Sequence, residues 1–423
     1  MRRVRPIDSL ERVEPRGYTR GMKPSATVLG RGQVKGERAT PTMSRHCRMR
    51  AERILTDLLA LPTAPFGEQY VIGYAREFCR QRPGLRVSQD KAGNMLIRYR
   101  SGHASRRRPL VLTAHMDHPG FIAEAMVAAG RLRARWYGSV RRQYFRDAKV
   151  RFFAGDGWIH GRVAEIRMDA DGSGRPSARV MFAEVDVPAP VPQGAIGMWD
   201  FDDPVIEGGR LFARGCDDAA GSAAALAVLD GLVQTGAAAD VYVLLTRAEE
   251  AGFVGAIAAC RHRTIPANGL VVSIECSSQL PYAKVGDGPI VRVGDYTATF
   301  TPGVTAWCRA VADALAAADK SFAYQRRLMD GGTCESAVFY EFGYETTGLC
   351  IPLGHYHNMD CERNCLAAEY IDRNDWHNMV RWLSALATSD VKYDGRHPGF
   401  RARLRELEKR HAADLRRWNV RVS

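Results

Sequence analysis

Five short segments of the chain carry side chains that could do chemistry together. Each places histidine or carboxylate residues after an apolar run or at the start of a helix-like one. The residues are His115, Asp117 and His118, then Asp217 and Asp218, Glu249 and Glu250, Glu275, and finally His355 and His357. Taken one at a time, each segment has an ordinary explanation as a surface pair or a helix cap. Their recurrence in five places is what indicates a common site.

A cluster built from these residues requires a positive partner. Carboxylates gathered in one place repel each other and raise their own pKa values, and a divalent metal pair would remove that repulsion. Imidazole together with carboxylate suits zinc or a similar first-row ion. Two neighbouring ions need one carboxylate that bridges them, with a histidine and a carboxylate on each side. The five residues that meet this demand are His115, Asp217, Glu250, Glu275 and His357.

The remaining polar residues can then take other roles. Asp117 lies two residues after His115, on the same face of a strand, and can orient its imidazole. Glu249 is left free of metal and can act as a general base on water. His355 is an alternative to His357 as the last ligand, because both would point to the same face of a strand.

Strand-like and helix-like segments alternate around these residues. Apolar runs typical of strands cover residues 109–117, 240–250, 269–276 and 345–354, and helix-like segments lie between them. This alternation predicts an α/β fold, with a mostly parallel sheet sandwiched by helices. In such a sheet a ligand binds beyond the carboxyl ends of the strands, so all five segments would reach one rim.

One part of the chain departs from this alternation. Residues 121–207 consist of short strand-like runs between Gly, Asp and Ser turns, with little helix. This pattern indicates a small β-rich domain inserted into the α/β domain. The α/β domain itself would comprise residues 46–120 and 208–390.

The net charge of +13 comes from the two ends of the chain. Residues 1–45 lack hydrophobic periodicity and are expected to form a disordered basic tail, within which Met43 could be the true start. Residues 391–423 contain 10 basic and 4 acidic residues and are expected to form a basic helical extension. Residues 51–390 hold 37 basic and 39 acidic residues. A basic face on the fold, and with it a nucleic-acid partner, is therefore not expected.

Composition also bears on where the protein works. No apolar stretch approaches the length of a membrane helix, and none has the order of a secretory signal. The 10 cysteines include no C-x-x-C pair. We therefore expect a cytoplasmic protein with free thiols and no membrane contact.

The motifs together resemble those of a known group of enzymes. The chain is similar, over about residues 47–390, to di-metal aminopeptidases of the glutamyl aminopeptidase and tetrahedral aminopeptidase type, some of which carry an older endoglucanase label. The motifs that carry the resemblance are "HMDHPG", "DDAAG", "EEAGFVGA", "GGTCESA" and "IPLGHYHN", with weaker matches in "FGE" and "DKAGN". The inserted β-rich segment stands where this family has a small barrel-like domain.

The resemblance implies a specific function. The protein would be a metal-dependent aminopeptidase that acts on peptides, with Asp217 bridging two metal ions and Glu249 as the base. Zinc is the expected metal, with cobalt or manganese as alternatives. The resemblance also implies a homo-oligomer, with a dodecamer as the common assembly of the family.

The sequence departs from the family pattern at several positions. Glu275 stands where many members have Asp, and Ala219 replaces the usual Arg. His118 stands where an acidic residue is common, Cys334 replaces an Asp, and "GHYH" at 354–357 replaces the usual approach to the last histidine. None of these changes removes a candidate ligand. The last three lie near the substrate in the family and bear on specificity.

Three other functions remain open on the sequence. A carboxypeptidase or N-acyl amino-acid amidohydrolase could use the same metal centre, although the β-rich insert favours the aminopeptidase. A glycosidase would need a carboxylate pair that works without metal. A non-catalytic binding protein could keep the fold, but it would have no use for Glu249.

Overall fold

The computed structural model describes residues 44–102, 108–170, 176–391, 393–396 and 399–418. The N-terminal tail was predicted to comprise residues 1–45, and residues 1–43 of it lie outside the described part of the chain.

The helices and strands follow in chain order. The helices are α1 Arg45–Leu59, α2 Gln69–Arg80, α3 Cys216–Thr235, α4 Val254–His262, α5 Pro302–Ala318, α6 Glu335–Glu341, α7 Arg373–Thr388 and α8 Phe400–Arg417. The strands are β1 Leu85–Gln89, β2 Met95–Ser101, β3 Leu110–His115, β4 Gly120–Ala128, β5 Arg131–Tyr137, β6 Lys149–Phe153, β7 Trp158–Ala170, β8 Pro176–Asp186, β9 Ile196–Trp199, β10 Val205–Glu207, β11 Arg210–Ala213, β12 Ala239–Thr246, β13 Leu270–Ser278, β14 Ile290–Asp295, β15 Gln325–Met329, β16 Glu345–Gly354, β17 Met359–Asp360, β18 Cys365–Leu366 and β19 Glu369–Asp372.

The larger sheet confirms the predicted α/β class. Among the described residues it contains eleven strands, in the order β1-β2-β12-β3-β13-β16-β19-β11-β10, with β14 and β15 attached through β16. The strands β12, β3, β13 and β16 at its centre are parallel to one another, whereas β2 pairs with β12, and β14 and β19 pair with β16, in the antiparallel sense. Parallel neighbours direct their carboxyl ends to one edge of the sheet, which is where a ligand site is expected.

Helices cover both faces of this sheet. The face that carries Leu112 and Val272 packs against α1, α3, α5 and α7, while the opposite face, with Val111 and Val271, packs against α4 and α6. All six residues of β3 are buried as a result. This double burial explains why the central strands are continuous apolar runs in the sequence and show no alternation.

Helix α3 carries one of the site segments and is built for close contact. Ala223, Ala224 and Ala225 are fully buried, and small side chains let the helix backbone approach the sheet. The indole N–H of Trp376 on α7 donates a hydrogen bond to the carbonyl of Ala220 at 2.9 Å. The helix ends at Gly236, whose φ of 62° is the left-handed conformation that glycine adopts readily.

The second sheet is a closed barrel. In the described part of the chain it consists of six strands in the order β4-β5-β8-β7-β6-β9. Its core contains Phe121, Trp136, Phe145 and Trp199, whose ring centroids lie 4.6 to 5.3 Å apart in the closest pairs. The hairpin β10–β11, which follows the barrel, pairs with β19 of the larger sheet. The predicted β-rich insert, residues 121–207, includes these barrel strands, and its exact boundaries stay a prediction.

The structure bears on two further expectations from the sequence, which concern the cysteines and membrane-spanning helices. None of the ten cysteines, all of which lie in the described ranges, forms a disulfide. Within those ranges no helix combines the length and apolarity that crossing a bilayer requires.

Candidate active site

The strand ends bring the sequence-predicted residues to one place. β3 ends at His115, and Glu249 and Glu250 follow the end of β12. Asp217 lies in the first turn of α3, and His357 lies in the turn directly after β16. These segments lie at one rim of the sheet because β12, β3, β13 and β16 are parallel to one another.

Glu275 occupies a different position on its strand from the predicted one. The sequence places it at a strand end, whereas β13 continues to Ser278. β13 pairs with β3 only as far as Ser273, opposite Thr113, and beyond that point it pairs with β16 alone. The two strands diverge there, so the Glu275 carboxylate can turn toward His115 from within a strand.

His115 meets three carboxylates. Its Nε2 atom lies 3.2 Å from Asp217 Oδ1, 3.4 Å from Glu275 Oε1 and 3.9 Å from Glu249 Oε2. The other ring nitrogen, Nδ1, lies 3.0 Å from the carbonyl oxygen of Asp117. A carbonyl acceptor there leaves Nδ1 protonated and Nε2 free to bind a metal ion.

Asp217 lies between the two histidines. The Nε2 atom of His357 is 3.0 Å from Glu250 Oε1 and 3.6 Å from Asp217 Oδ2. Asp217 therefore presents one oxygen to His115 and the other to His357. Each histidine also has a carboxylate of its own, Glu275 for the first and Glu250 for the second. This is the arrangement that a carboxylate bridging two ions requires.

The cluster fits divalent metal ions. Asp217 Oδ1 and His357 Nε2 are buried and, although His115 Nε2 and Glu250 Oε1 lie 3.2 and 3.0 Å from them, neither atom makes a well-aligned hydrogen bond among the described residues. Three sets of donor atoms each lie within 4.8 Å of one another: His115, Glu249 and Glu275; His115, Asp217 and Glu250; and Asp217, Asp218 and Glu275. Buried polar atoms without partners are costly, and a cation held by these mixed nitrogen and oxygen donors would satisfy them.

The pKa values of the cluster residues are shifted by burial and by the charges of their neighbours. Burial, reinforced by Asp217, raises the pKa of Glu275 to about 8. Burial also raises the pKa of Glu250, against the opposite effect of His357. For His115, burial alone would lower the pKa, but the surrounding carboxylates, Glu249 first among them, raise it well above its usual range. Divalent ions bound among these carboxylates would remove the repulsion between them.

His355 and His357 do not lie on one strand face, and this premise of the sequence argument is wrong. β16 ends at Gly354, and both histidines have left-handed backbone, with φ of 56° and 54°. The resulting turn separates their side chains. His355 Nδ1 lies 2.9 Å from the carbonyl of Ala368, and its ring faces Asp360, whereas His357 points into the cluster. The geometry favours His357 as the ligand.

Asp117 has partners in addition to His115, the one predicted from the sequence. β3 ends at His115, so Asp117 does not share a strand face with it, and its nearer carboxylate oxygen is 3.6 Å from His115 Nδ1. The carboxylate instead accepts the backbone N–H groups of Glu249 at 3.0 Å and Glu250 at 3.1 Å. Asp117 orients His115 through its carbonyl and the two glutamates through its side chain.

The loop after β12 is shaped by a glycine. A side chain at Gly255 would bring its Cβ within 2.4 Å of the Arg247 backbone, so only glycine allows this approach. Asn94 closes the same contact, since its side chain accepts from the Arg247 N–H at 3.1 Å and donates to the Gly255 carbonyl at 2.9 Å. These contacts explain the second glycine in "EEAGFVGA" and the asparagine in "DKAGN", and they fix the start of the loop that carries Glu249.

Comparison with known families identifies the family of the chain. The sequence model of the M42 glutamyl aminopeptidase family matches residues 93–365. The chain belongs to the M42 glutamyl aminopeptidase family. The resemblance inferred from the motifs is thereby confirmed, and the protein is a peptidase, a hydrolase of peptide bonds. No curated protein matches the chain in sequence.

Solved structures of aminopeptidases share the fold. A TET aminopeptidase from a marine sediment archaeon of the Thaumarchaeota has a TM-score of 0.66 at 20% identity, covering 81% of this chain and 97% of its own. An aminopeptidase from Desulfurococcus kamchatkensis has a TM-score of 0.65 at 20% identity, covering 81% and 95%. The TET1 peptidase of Pyrococcus horikoshii, described as assembling into a tetrahedron or a large octahedral shell, has a TM-score of 0.65 at 19% identity, covering 80% and 99%.

Of the departures from the family pattern, His118 contacts a proposed ligand. His118 is buried, with Nδ1 2.5 Å from the carbonyl of Asp217 and Nε2 3.0 Å from Asn358 Oδ1. Burial lowers the pKa of His118 to about 3. Cys334 is buried and precedes α6. His118 is thus a buried residue that contacts the backbone carbonyl of Asp217.

Acidic residues near the site that were assigned no role from the sequence include Asp218, Glu68 and Glu369. Asp218 accepts the N–H of Gly221 at 3.1 Å, and its second oxygen has no partner among the described residues. Glu68 accepts the N–H groups of Phe66 and Ala248, at 2.9 and 3.0 Å, and so holds the loop before Glu249. Its only sequence signal is the weak "FGE" match. The third is Glu369, in a segment where no motif points to it.

Proposed function

We propose that this protein is a two-metal aminopeptidase that removes the N-terminal residue from peptides. The observation that carries the proposal is the position of Asp217, which offers its two oxygens to two different histidines, each with its own carboxylate. The family supplies the reaction class, and this geometry supports the metal number.

Each proposed ion would have its own ligands. His115 and Glu275 would hold one, His357 and Glu250 the other, and Asp217 would contact both. Bound divalent ions would lower the pKa of water and polarise the scissile carbonyl. Zinc suits the mixture of imidazole and carboxylate, and cobalt and manganese are alternatives with the same donor preference.

Glu249 is the residue we propose as general base. Its side chain is largely buried beside the cluster, and in the metal-free protein burial, with the neighbouring Glu275 and Glu250, raises its pKa well above the usual range. A carboxylate with a raised pKa can take the proton of the attacking water and return it to the leaving amine. Asp117 supports this role because it fixes the backbone N–H of Glu249.

Replacing Glu249 by Gln tests the assignment of the general base. Glu249→Gln keeps the shape of the side chain but cannot accept a proton as a carboxylate does, so kcat should fall by roughly 10²–10⁴ while the metal content is unchanged. Metal content is measured by elemental analysis and activity with a panel of aminoacyl chromogenic substrates. A Glu249→Gln enzyme with near-wild-type turnover would refute the assignment of the base.

The same panel separates the alternatives. N-acetylated substrates cleaved faster than those with a free amine would indicate an amidohydrolase or a carboxypeptidase. Activity on glycosides that survives complete removal of metal by a chelator would indicate a glycosidase. An aminopeptidase should cleave free-amine substrates only, and should lose that activity with the chelator.

We also propose that the protein assembles into a homo-oligomer. The support comes from structural neighbours, one of which was solved as a dodecamer and covers 80% of this chain. Light scattering after size-exclusion chromatography measures the mass directly. A monomer under all buffer conditions would exclude the oligomer without affecting the proposed chemistry.

A further inference from the structure

Glu369 is a buried carboxylate that faces the site without belonging to the proposed ligands. It begins β19 and has no exposed surface. Its Oε2 atom accepts the backbone N–H of Asp217 at 3.0 Å, and its Oε1 atom accepts the backbone N–H of His357 at 2.8 Å. One side chain thus joins the main chains of two proposed ligands that come from different elements.

The sheet order explains why Glu369 can reach both. β19 lies between β16 and β11, with Tyr370 opposite Gly354 and Glu369 opposite Ala213. β16 leads directly into the turn that carries His357, and β11 leads into the segment that carries Asp217. Glu369 therefore stands where these two chain segments leave the sheet side by side.

The two N–H groups need an acceptor of this kind. Asp217 has non-helical backbone within the first turn of α3, where N–H groups have no partner inside the helix. His357 has a φ of 54°, a left-handed conformation that non-glycine residues adopt at a cost. A carboxylate makes stronger hydrogen bonds to backbone N–H groups than a neutral acceptor does.

We propose that Glu369 is a positioning residue that fixes the spacing of Asp217 and His357 and thereby sets the affinity of the site for divalent ions. The inference rests on the proposed two-metal function and adds a residue that does not touch the ions. A residue that only stabilised the fold would leave the affinity for metal unchanged, and this difference makes the proposal testable.

Asp375 provides a matched control. It is a buried carboxylate on α7 that also accepts two backbone N–H groups, from Gly286 at 2.7 Å and Gly288 at 2.8 Å. Neither glycine is a neighbour of a proposed ligand in the sequence. Asp375→Asn removes the same kind of contact from the fold as Glu369→Gln does, without touching the site.

The experiment measures metal binding by the full chain. Metal-free wild type, Glu369→Gln and Asp375→Asn are titrated with zinc by calorimetry, and the absorption spectrum of the cobalt-loaded proteins is recorded. Loss of a residue that supports metal ligands commonly weakens metal binding by about 10- to 100-fold. We expect a loss of this size and an altered cobalt spectrum for Glu369→Gln, and neither effect for Asp375→Asn.

A second variant guards against a folding defect. Glu369→Asp keeps the charge but is one methylene shorter, so it can reach only one of the two N–H groups at a time. It should also weaken zinc binding, and it replaces Glu369→Gln in the titration if that variant does not fold. Zinc affinity within twofold of wild type in the folded variant, with an unchanged cobalt spectrum, would overturn the positioning role.

The outcome for wild type separates this inference from the proposed function. If wild-type protein binds neither zinc nor cobalt, the two-metal function fails, and the inference fails with it. If wild type binds the ions and the Glu369 variants bind them equally well, only the positioning role is lost.

Discussion

Replacing Asp117 by Asn tests how the Glu249–Glu250 pair is held. The carboxylate accepts two backbone N–H groups, from Glu249 at 3.0 Å and from Glu250 at 3.1 Å. Asparagine keeps the shape but has one acceptor, and its NH₂ group faces the other backbone donor. One buried N–H is then left without a partner, at a cost of about 1–3 kcal/mol.

Most of this cost should appear in catalysis, since the affected N–H groups belong to the residues that we propose as base and ligand. A loss of about 1–3 kcal/mol of transition-state stabilisation corresponds to a decrease in kcat/KM of about 5- to 150-fold. Steady-state rates with an aminoacyl chromogenic substrate measure it, and elemental analysis reports the bound zinc in the same samples.

The control for this prediction is again Asp375→Asn. Its carboxylate accepts two N–H groups at 2.7 and 2.8 Å, outside the site, so the substitution should lower thermal stability and leave kcat/KM within about twofold of wild type. The reasoning would be refuted if Asp117→Asn kept more than half of the wild-type kcat/KM, or if both variants lost activity to the same extent.

Three further predictions concern the metal cluster. Glu250→Gln should lose bound metal as well as activity, in contrast to Glu249→Gln, and equal metal content in the two variants would contradict their separate roles. His357→Asn should abolish stoichiometric zinc binding whereas His355→Asn should retain it, because only the first ring faces the cluster; calorimetry distinguishes them. In the metal-free protein, burial and Asp217 raise the pKa of Glu275 from its ordinary value of 4.5 to about 8. The folded state therefore binds this proton more tightly than the unfolded state does. The resulting contribution to the free energy of unfolding is fully present below about pH 4.5 and is lost as the pH rises to about 8. The melting temperature of chelated protein should therefore fall across this range, and zinc should reverse the trend because ligands bind metal in their deprotonated forms. A melting temperature of the chelated protein that rises with pH would contradict this.

Residue type and position along the chain were enough to predict the α/β class and to select the members of the cluster. His115, Asp217, Glu249 and Glu250 each lie at the exit of a strand or the start of a helix. Such exits converge in a parallel sheet whatever the details of packing, so local sequence carries the information. The five short motifs that carry the family resemblance include these strand exits and this helix start.

The expected strand positions that differ in the structure depended on where an element ends. His355 and His357 would share a face only if β16 continued past Gly354, and Asp117 would share one with His115 only if β3 continued past His115. Glu275 lies inside its strand because β13 goes on pairing with β16 after it leaves β3. Strand ends are determined by pairing partners, and a local pattern of apolar residues does not contain them.

The sequence by itself determined which side chains could bind metal and that they would meet at one rim of a sheet. Only the tertiary structure decided which histidine enters the cluster, what Asp117 holds, and that Glu369 joins the backbones of Asp217 and His357. The physical reason is that these three outcomes depend on hydrogen bonds between segments distant in sequence. In particular, Glu369 acquires its role because β19 lies between β11 and β16, an order that no local periodicity records.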